Sequence, residues 1–511
     1  MTTNEPSTDA RALIVGSPHA CDRLIRQLRA IDESGSIVGV ITTDQSKTET
    51  IAGLPVLGNL DDLVALCASH AVTSAIVTLP ASDRALWRTI SVSLHRAGVI
   101  ERFVPPMDEM LHSAPSMPSP SAVTIGAPKI DLAKLVGREA HDIDRQLVSS
   151  TLNRKTVLVT GAGGSIGSEL VRQVASYQPS RIILMERAEN ALFEVDRALR
   201  ELYPEIDRVA VLHDVVDASR TLGLLERYQP DVVFHAAAHK HVPLMEDHPS
   251  HAVTNNLFGT KAIADAAVTV GAERFVLISS DKAVNPVNVM GATKRLAEMY
   301  TQSLATMPGI ATRLSMVRFG NVLGSACSVL PIWADQIAAG RPVTVTDERM
   351  TRYFMTIPEA ATLVMQAGAM SGHGFGGIQL GKSGEVFVLD MGEPIEIFKL
   401  AKRFIRACGY EPTIGHPMGT KPNTVPIVLT GARPGEKLYE ELSYDAQGLM
   451  RTSHPGIYAL DEETDVSESR IADMVASMDE VRRTQSRKAV LEQIARFIPT
   501  MDAKTRSVSA A

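Results

Sequence analysis

Residues 155–167 read KTVLVTGAGGSIG, and this stretch decides the fold of the larger part of the chain. The apolar run Val157–Thr160 is followed by three spaced glycines, and a helical pattern then begins. In such a strand–loop–helix unit the first glycine permits a tight turn, the second admits a pyrophosphate, and the third lets helix and strand pack closely. The N–H groups at the helix start attract phosphate. The predicted dinucleotide-binding residues of this loop are Gly161, Gly164, Ser165, Ile166 and Gly167.

The acid that ends the next apolar run indicates which dinucleotide binds. Glu186 stands roughly 20 residues beyond the loop, where an acid can accept hydrogen bonds from the adenosine ribose. A carboxylate there repels a 2′-phosphate, so we expect NAD, while the neighbouring Arg187 keeps NADP as the alternative. Further cofactor contacts are expected from Asp214, Val215, Ala236 and Ala237, which follow the next two strand candidates.

Short apolar runs alternate with helical patterns throughout the region around this loop. The strand candidates after Val157–Thr160 are Arg181–Met185, Arg208–His213, Asp231–Ala237, Arg274–Ser279 and Leu314–Arg318. This alternation predicts a doubly wound parallel sheet of Rossmann type, which binds ligands at the carboxyl ends of its strands. We assign residues 151–460 to this domain.

An acid and an amine stand side by side after the fifth of these strands. Residues 279–294 read SSDKAVNPVNVMGATK. Short-chain dehydrogenases, which this segment resembles, carry Tyr-x-x-x-Lys here, whereas Met290 now precedes Lys294 on the same helix face. A thioether cannot accept a hydroxyl proton, so Asp281 and Lys282 are the candidate acid and base. The alternative interpretation is an ion pair at a strand end.

From Asp131 to about His454 the chain closely resembles the nucleotide-sugar 4,6-dehydratases of bacterial polysaccharide and glycan pathways, which are extended short-chain dehydrogenases. Four further motifs carry the resemblance: HAAAHKHVPLME at 235–246, VRFGNVLGS at 317–325, MTRYFMTI at 350–357 and RPGEKLYEE at 433–441. Methionine in place of tyrosine is a feature of the larger members, the UDP-N-acetylglucosamine 4,6-dehydratases. The substitution therefore fits an active enzyme.

The resemblance implies a lyase that keeps its NAD bound. NAD⁺ takes a hydride from C4 of the sugar, Lys282, if neutral, removes the C5 proton, and Asp281 protonates the departing 6-hydroxyl. The hydride then returns to C6, and the net change is loss of water. Ser280 is expected at the sugar's 4-oxygen, and the group that takes the 4-hydroxyl proton stays open between Asp281 and a water. The candidate catalytic residues are Ser280, Asp281, Lys282, Met290 and Lys294, the last also contacting the cofactor.

Four residues are expected to contact the UDP-sugar. Asn321 matches the family's asparagine near the substrate diphosphate, and Arg433 matches the arginine of the RPGEK motif, which can hold a phosphate bidentately. Lys240 and His241 stand just beyond the fourth strand, near the expected position of the sugar. Structural ion pairs are the alternative for each.

Residues 11–112 predict a smaller Rossmann-like α/β domain. The strand candidates are Ala12–Val15, Ile37–Ile41 and Ala75–Leu79, with helical patterns over Cys21–Ile31 and Asp61–Ser69. GLPVLG at 53–58 resembles the domain that precedes the catalytic domain in the larger dehydratases. Its first loop lacks the expected glycines, so a structural, regulatory or oligomerising role is favoured over cofactor binding. A Pro- and Ser-rich linker is assigned to 113–150, and a helical tail to 461–511.

Composition excludes several classes of protein. The 511 residues carry a net charge of −7, which argues against a broad nucleic-acid-binding face. The cysteines at 21, 67, 327 and 408 are too dispersed for a zinc site or a disulfide framework. With no long apolar stretch and a polar start, we expect a cytoplasmic homo-oligomer without a membrane span.

Two other functions remain open at the level of sequence. A 4- or 5-epimerase acting on the same sugar nucleotide shares the oxidation at C4 or the deprotonation at C5. A non-enzymatic NAD(H) sensor would bind the cofactor without turnover, although the Asp281–Lys282 pair argues against it.

Overall fold

The computed structural model describes residues 11–30, 37–44, 49–79, 86, 89–90, 93–94, 97–104, 135–137, 141–325, 328–372, 384–414, 424–431, 435–441, 448–460, 467–484 and 486–502. The chain forms two compact units, Met1–Ser116 and Met117–Ala511. None of the helices in the described ranges combines the length and apolar character that a membrane crossing requires.

The first unit is built on a six-stranded sheet. Its spatial order is Thr50–Ile51, Leu54–Asn59, Ile37–Thr42, Ala12–Gly16, Ser74–Thr78 and Ile100–Phe103. All pairings are parallel except that between the first two strands. The described helices are Pro18–Ala30, Leu63–Ser69 and the short 3₁₀ turn Leu60–Asp62. The three predicted strands are confirmed, because apolar runs buried on both faces form the parallel centre of the sheet.

The second unit is built on a nine-stranded sheet. Its spatial order is Leu449–Arg451, Ile457–Leu460, Glu385–Leu389, Arg313–Arg318, Arg274–Ile278, Val232–His235, Thr156–Thr160, Arg181–Glu186 and Arg208–Leu212. Strand Ile457–Leu460 pairs antiparallel with both of its neighbours, and all other pairings in this sheet are parallel. The strand order reverses beside Thr156–Thr160, which places the crevice for a ligand there. The predicted doubly wound Rossmann sheet is confirmed.

Most helices of this unit cover the two faces of the sheet, while Val329–Ala338 and Ile397–Ala407 belong to a smaller lobe. The helices are Arg145–Leu152, Ser165–Ala175, Glu189–Leu202, Ala218–Tyr228, Val242–Asp247, Pro249–Ala252, Gly259–Thr269, Val289–Thr306, Val329–Ala338, Ile357–Met370, Ile397–Ala407, Glu468–Thr484 and Arg487–Phe497, with a π-helical turn at Val253–Phe258 and 3₁₀ turns at Asp281–Ala283 and Pro499–Met501. Alternate residues of one strand face opposite cores: Val157 and Val159 pack on one side and Leu158 on the other.

Two segments outside residues 151–460 belong to the cores of this unit. The assignment of a linker up to residue 150 is wrong at its end, because helix Arg145–Leu152 begins within it and buries Val148 beside the sheet. The two C-terminal helices bury Met474 and Leu491 in the core on the opposite face. Apolar residues repeat along both segments at helical spacing, which explains why they pack on the domain. The Pro- and Ser-rich stretch 113–121 lies outside the described residues.

A smaller lobe follows the sheet in sequence. Its core gathers Trp333, Leu400 and Phe404 from helices Val329–Ala338 and Ile397–Ala407. A three-stranded parallel sheet supports it, in the order Val343–Val345, Thr424–Leu429 and Glu411–Ile414. Short strands at Asn321–Leu323, Thr351–Arg352, Phe354–Thr356 and Ile395–Glu396 connect the lobe to the main sheet. These connections bring the sequence motifs around 320 and 352 to the carboxyl edge of the sheet.

Candidate active site

The glycine loop is shaped by contacts that leave no room for side chains. Gly161 has φ +63°, and a Cβ there would lie 2.8 Å from the backbone nitrogen of Ala237. A Cβ on Gly167 would lie 2.0 Å from the carbonyl oxygen of Gly161. Helix Ser165–Ala175 starts at Gly164, a residue with no side chain to cap it. Such an uncapped helix start suits a phosphate, so the loop fits a dinucleotide.

Glu186 fixes this loop through its carboxylate. One oxygen accepts a hydrogen bond from the Gly163 N–H at 3.2 Å, and the other accepts from the N–H groups of Arg187 and Ala188 at 2.9 and 3.0 Å. Glu186 thus ties the end of its strand to the phosphate loop. It keeps lone pairs for the ribose hydroxyls, since a carboxylate accepts about four hydrogen bonds.

Arg187 points into a cluster of polar groups. Its guanidinium lies 3.6 Å from Asp214, donates to the Asn255 side chain at 3.3 Å, and contacts the His239 ring at 3.2 Å. The His239 ring stacks on His251. Burial and the Arg187 charge lower the pKa of His239 to about 4. Because Arg187 already has partners, a 2′-phosphate of NADP would have to displace them.

The other predicted cofactor residues line the end of the next two strands. Val215 is buried and packs close to Gly259. The Ala236 N–H donates to the Thr160 carbonyl at 3.2 Å, and the backbone of Ala237 abuts Gly161. Side chains larger than alanine would therefore crowd the loop.

His235 was missed by sequence reasoning and links this loop to the neighbouring strand. Its ring lies 2.7 Å from the Thr160 hydroxyl and 3.0 Å from the Thr260 hydroxyl. Burial and the nearby Lys294 lower its pKa to about 3, so the ring is neutral near pH 7. His235 therefore acts as a structural link. Its position at the end of an apolar strand was the feature of the sequence that could have indicated this role.

The Asp281–Lys282 pair stands at the carboxyl end of strand Arg274–Ile278. Ser280 caps the 3₁₀ turn that follows, accepting from the Lys282 N–H at 3.2 Å and donating to Asp281 Oδ1 at 2.9 Å. Lys282 Nζ donates to the same Oδ1 at 2.9 Å. Asp281 is 1% exposed, and its Oδ2 has no hydrogen-bond partner among the described residues. Such a buried acceptor is costly unless a ligand satisfies it.

Gly320 leaves space beside the unpartnered oxygen of Asp281. A Cβ on Gly320 would lie 3.2 Å from Asp281 Oδ2, 3.1 Å from the Tyr353 Cβ and 3.3 Å from the Met391 Cε. Asn321 follows directly and donates its backbone N–H to the Tyr353 carbonyl at 3.1 Å. The structure therefore brings Asn321 to the same edge of the sheet as the acid–base pair.

Lys282 is held as an ammonium in this arrangement. Burial lowers its pKa, but the charges of Asp281 and Glu440 outweigh burial, so the net pKa is raised above its usual value. The pKa of Lys282 is therefore not lowered, as a neutral general base would need. Neutral Lys282 requires transfer of a proton, and Asp281 lies at hydrogen-bond distance to take it.

Met290 and Lys294 lie on helix Val289–Thr306, which packs against the 3₁₀ turn Asp281–Ala283, the candidate catalytic turn. Asn288 caps the helix, and a Cβ on Gly291 would lie 2.0 Å from the Lys282 carbonyl oxygen. Met290 is buried in the apolar core. Lys294 Nζ donates to the Ile278 carbonyl at 2.6 Å, and burial lowers its pKa to about 8 although Glu298 opposes the shift.

Lys240 and His241, two of the residues predicted to contact the sugar, have polar or charged neighbours in the structure. Lys240 Nζ donates to the Ser325 hydroxyl at 3.3 Å. Burial and the Lys240 charge lower the pKa of His241. Arg433 lies outside the described residues, so its predicted contact with phosphate stays a prediction.

Sequence reasoning missed two charged residues beside Lys282. Glu440 Oε1 lies 3.5 Å from Lys282 Nζ and 3.7 Å from Arg352 Nε. Both residues stand inside motifs that carried the family resemblance, which was the available signal. Their proximity could not be predicted, because it depends on the fold of the smaller lobe.

A buried ion cluster supports the strand ends behind the site. Glu298 accepts from Arg318 at 2.8 and 2.7 Å, from Arg295 at 3.2 Å and from the Ser279 hydroxyl at 2.6 Å. Although burial opposes ionisation, these partners, chiefly Arg318, lower the pKa of Glu298 to about 2. Ser279, which precedes the Ser280 cap of the candidate catalytic turn, is thereby anchored.

Two family models match the chain. Residues 157–462 match the model described as "Polysaccharide biosynthesis protein". Residues 3–105 match a "CoA-binding domain".

In the first unit a Cβ on Gly16 would lie 2.3 Å from the Thr78 carbonyl oxygen, so close strand packing accounts for that glycine. Among the described residues no group of His, Cys, Asp or Glu is arranged to hold a metal ion.

Curated relatives include both dehydratases and epimerases. The chain is 44% identical over 439 residues to the probable polysaccharide biosynthesis protein EpsC of Bacillus subtilis, covering 85% of this chain and 68% of that protein. It is 30% identical to a UDP-N-acetylglucosamine 4,6-dehydratase (inverting) of Campylobacter jejuni, over 62% of this chain and 87% of the relative. It is 31% identical to a UDP-glucose 4-epimerase of Rickettsia typhi, over 56% and 77%.

Proposed function

Because the chain belongs to the polysaccharide biosynthesis protein family, we propose that it is a nucleotide-sugar 4,6-dehydratase that acts on UDP-N-acetylglucosamine with bound NAD. One observation carries the proposal. A buried carboxylate with an unpartnered oxygen and an amine stand at the same edge of the sheet as a dinucleotide loop, while Met290 occupies the place of the usual tyrosine. Dehydration needs such an acid–base pair, and it needs no tyrosine for the elimination step.

The loop residues fit the cofactor. The contacts of Gly161 and Gly167 form a cradle that a Cβ would fill, and Gly164 opens the helix start toward a phosphate. Glu186 would hold the adenosine ribose, and Lys294 lies near the end of the catalytic strand. Bound NAD supplies the hydride acceptor for C4 and the hydride donor for C6. The chain's own residues supply proton transfer and orientation.

The ion pair seen in the structure is the resting state in this proposal. A proton moves from Lys282 to Asp281 across their 2.9 Å hydrogen bond, which gives a neutral amine and a protonated acid. The amine then takes the C5 proton, and the acid gives its proton to the departing 6-hydroxyl, which leaves as water. Elimination returns Lys282 to the ammonium and Asp281 to the carboxylate. The proton lost from the 4-hydroxyl and the proton later gained at C5 balance each other.

Ser280 has a double role in this scheme. Its hydroxyl already orients Asp281 Oδ1 and caps the turn that presents Lys282. Its position beside the pair also suits a hydrogen bond to the 4-oxygen of the sugar. Asn321, Lys240 and Arg433 are proposed to hold the diphosphate and the sugar.

Epimerisation at C4 or C5 is the competing function, and one relative is a 4-epimerase. An epimerase removes and returns hydrogen without expelling a hydroxyl, so it has no need of a proton donor at C6. The Asp281–Lys282 hydrogen bond favours dehydration, because a proton passed across it to Asp281 can then be given to the leaving hydroxyl.

The purified protein should convert UDP-N-acetylglucosamine to a product lighter by one water. We would incubate it with a panel of UDP- and dTDP-sugars and identify products by mass spectrometry and NMR. A product of unchanged mass and altered stereochemistry would show an epimerase. Binding of NAD(H) without any product would support a sensor.

Glu186→Ala should weaken binding of NAD and reduce the preference for NAD over NADP. The variant loses the expected ribose acceptor and also frees the N–H of Gly163, so the phosphate loop is less well held. Titration calorimetry with both dinucleotides would measure the change. Glu189→Ala, on the exposed first turn of the next helix, is the matched control and should bind like the unmodified protein. Tighter binding of NADP by the unmodified protein would contradict this assignment.

Met290→Leu should change the rate less than tenfold, a barrier change under ~1.4 kcal/mol. Leucine keeps an apolar side chain of similar volume at this buried position, and a thioether has no proton to exchange. Steady-state rates of product formation would test this. A loss comparable to that of an acid–base variant would mean that the sulfur takes part in the reaction.

A further inference from the structure

We propose that Glu440, together with Arg352, is a positioning residue that holds Lys282 beside Asp281 and sets when this pair exchanges its proton. The inference rests on the proposed function and extends it to two residues outside the glycine loop and the catalytic turn. Neither residue need touch the substrate for this role.

Glu440 meets Lys282 from a different part of the chain. Its Oε1 lies 3.5 Å from Lys282 Nζ, while Asp281 Oδ1 lies 2.9 Å from the same nitrogen. Glu440 is 8% exposed, so its charge acts on Lys282 with little screening by water. Lys282 is therefore held between two carboxylates.

Arg352 is a fixed counter-charge for Glu440. Its guanidinium donates to the backbone carbonyls of Thr351, Lys437 and Leu438 at 2.7, 2.8 and 3.2 Å. Its Nε lies 3.7 Å from Glu440 Oε1. Because these carbonyls immobilise the guanidinium, Arg352 cannot easily move away when the charge of Lys282 changes.

The segment that carries Glu440 is tied to the catalytic turn. The Asn288 side chain donates to the Gly435 carbonyl at 3.1 Å, and Lys437 Nζ donates to the Val284 carbonyl at 3.2 Å. Asn288 also caps the helix that carries Met290 and Lys294. Glu440 is thus placed by hydrogen bonds to the catalytic turn on one side and by Arg352 on the other.

The charges around the pair balance before and after the internal proton transfer. Asp281 and Glu440 oppose Lys282 and Arg352, while the Tyr353 phenol lies within electrostatic reach of both Asp281 and Glu393. When Lys282 passes its proton to Asp281, Glu440 and Arg352 remain as a neutral pair. Without Glu440, Arg352 alone would face Lys282 and would disfavour the ammonium; without Arg352, Glu440 would hold the proton more tightly.

Opposite charge removals should therefore shift the titration of Lys282 in opposite directions. Glu440→Gln keeps the shape of the side chain but removes its charge. At the alkaline limb of the kcat/KM profile the Asp281–Lys282 pair loses its shared proton. In this variant the limb should move to lower pH by about one unit or more. Arg352→Gln should move the limb to higher pH. Glu440→Asp keeps the charge and should lie closer to the unmodified protein than Glu440→Gln.

Glu441→Gln is the matched control. Glu441 is the next residue, half exposed, and pairs with Lys437 and Asn285 instead of Lys282. Its variant should keep the titration of the unmodified protein. A purely structural role for Glu440 would lower the rate of its variant without moving the limb.

A second readout needs no turnover. Competitive acetylation of the lysines across pH, read by mass spectrometry on the peptide that contains Lys282, reports the titration of this amine directly. The Glu440→Gln shift should appear there as well. Equal Lys282 titrations in the Glu440→Gln and Glu441→Gln proteins would overturn the inference. A shifted titration in a protein that removes water from no nucleotide sugar would instead contradict the proposed function.

Discussion

Lys282→Ala should slow the loss of water from UDP-N-acetylglucosamine by roughly 10²–10⁴-fold, because a general base contributes about that factor. The amine stands at the carboxyl end of the catalytic strand, at 2.9 Å from Asp281, and the glycine loop does not depend on it. Binding of NAD should therefore persist. Product formation and retained cofactor would be measured on the same preparation.

Lys399→Ala is the matched control for this prediction. Lys399 forms a surface ion pair with Glu396 at 2.7 Å. If the buried Asp281–Lys282 pair were only structural, Lys282→Ala would lower stability, unlike Lys399→Ala, but the folded variant that retains NAD would turn over at the rate of the unmodified protein. Unchanged turnover by Lys282→Ala would show that the base lies elsewhere, and Lys240 and His241 would be tested next.

Asp281→Asn should retain cofactor binding and lose the proton donor for the 6-hydroxyl. The amide preserves the shape of the side chain but cannot deliver the acid proton. The proposed chemistry requires that Lys282→Ala and Asp281→Asn lose much more rate than Met290→Leu.

Glu298→Ala should lower the free energy of unfolding by about 3–5 kcal/mol, because it leaves a buried cation without its partner. Arg318 is fully buried and makes two hydrogen bonds to the Glu298 carboxylate. Arg295 and the Ser279 hydroxyl lose their acceptor as well. Urea denaturation followed by circular dichroism would measure the change, with domain-wise transitions fitted separately.

Glu194→Ala is the matched control on the surface. Glu194 pairs with Arg197 on one exposed helix, and such pairs contribute at most about 1 kcal/mol. Equal losses in the two glutamate variants would contradict the idea that the buried cluster anchors the catalytic strands.

Stability should also fall at low pH through Glu298. Its pKa is about 2 in the folded protein, against 4.5 for an ordinary glutamate. A depressed pKa means that the unfolded chain takes up the proton first. The stabilising contribution is therefore complete above about pH 4.5 and is lost as pH falls toward 2. The Glu298→Ala protein should lack this part of the acid dependence.

Features that depend on local sequence were predictable. The spacing of the glycines at 161, 164 and 167 predicts the phosphate loop by itself, because a tight turn and close packing leave little room for a side chain. Asp281 and Lys282 are neighbours in the chain, so their placement at a strand end followed from one apolar run. The parallel sheet followed from the alternation of strands and helices.

Features that depend on contacts between distant segments were not predictable. Glu440 and Arg352 reach Lys282 only because the smaller lobe folds back onto the sheet edge. The pKa of Lys282 is raised first by Asp281, its neighbour in the chain, and then by Glu440, which only the fold brings near. The C-terminal helices were recognised as helical, but their burial in the core requires knowledge of the surface they cover.

The most direct test of the proposed dehydratase uses UDP-N-acetylglucosamine that carries deuterium at C4. The account predicts a product lighter by one water, a ketone at C4, and the deuterium in the new methyl group at C6, because the hydride taken from C4 is returned there. Deuterium found again at C4, in a sugar nucleotide that has kept all its oxygen atoms but has an inverted ring carbon, would contradict it and would identify an epimerase.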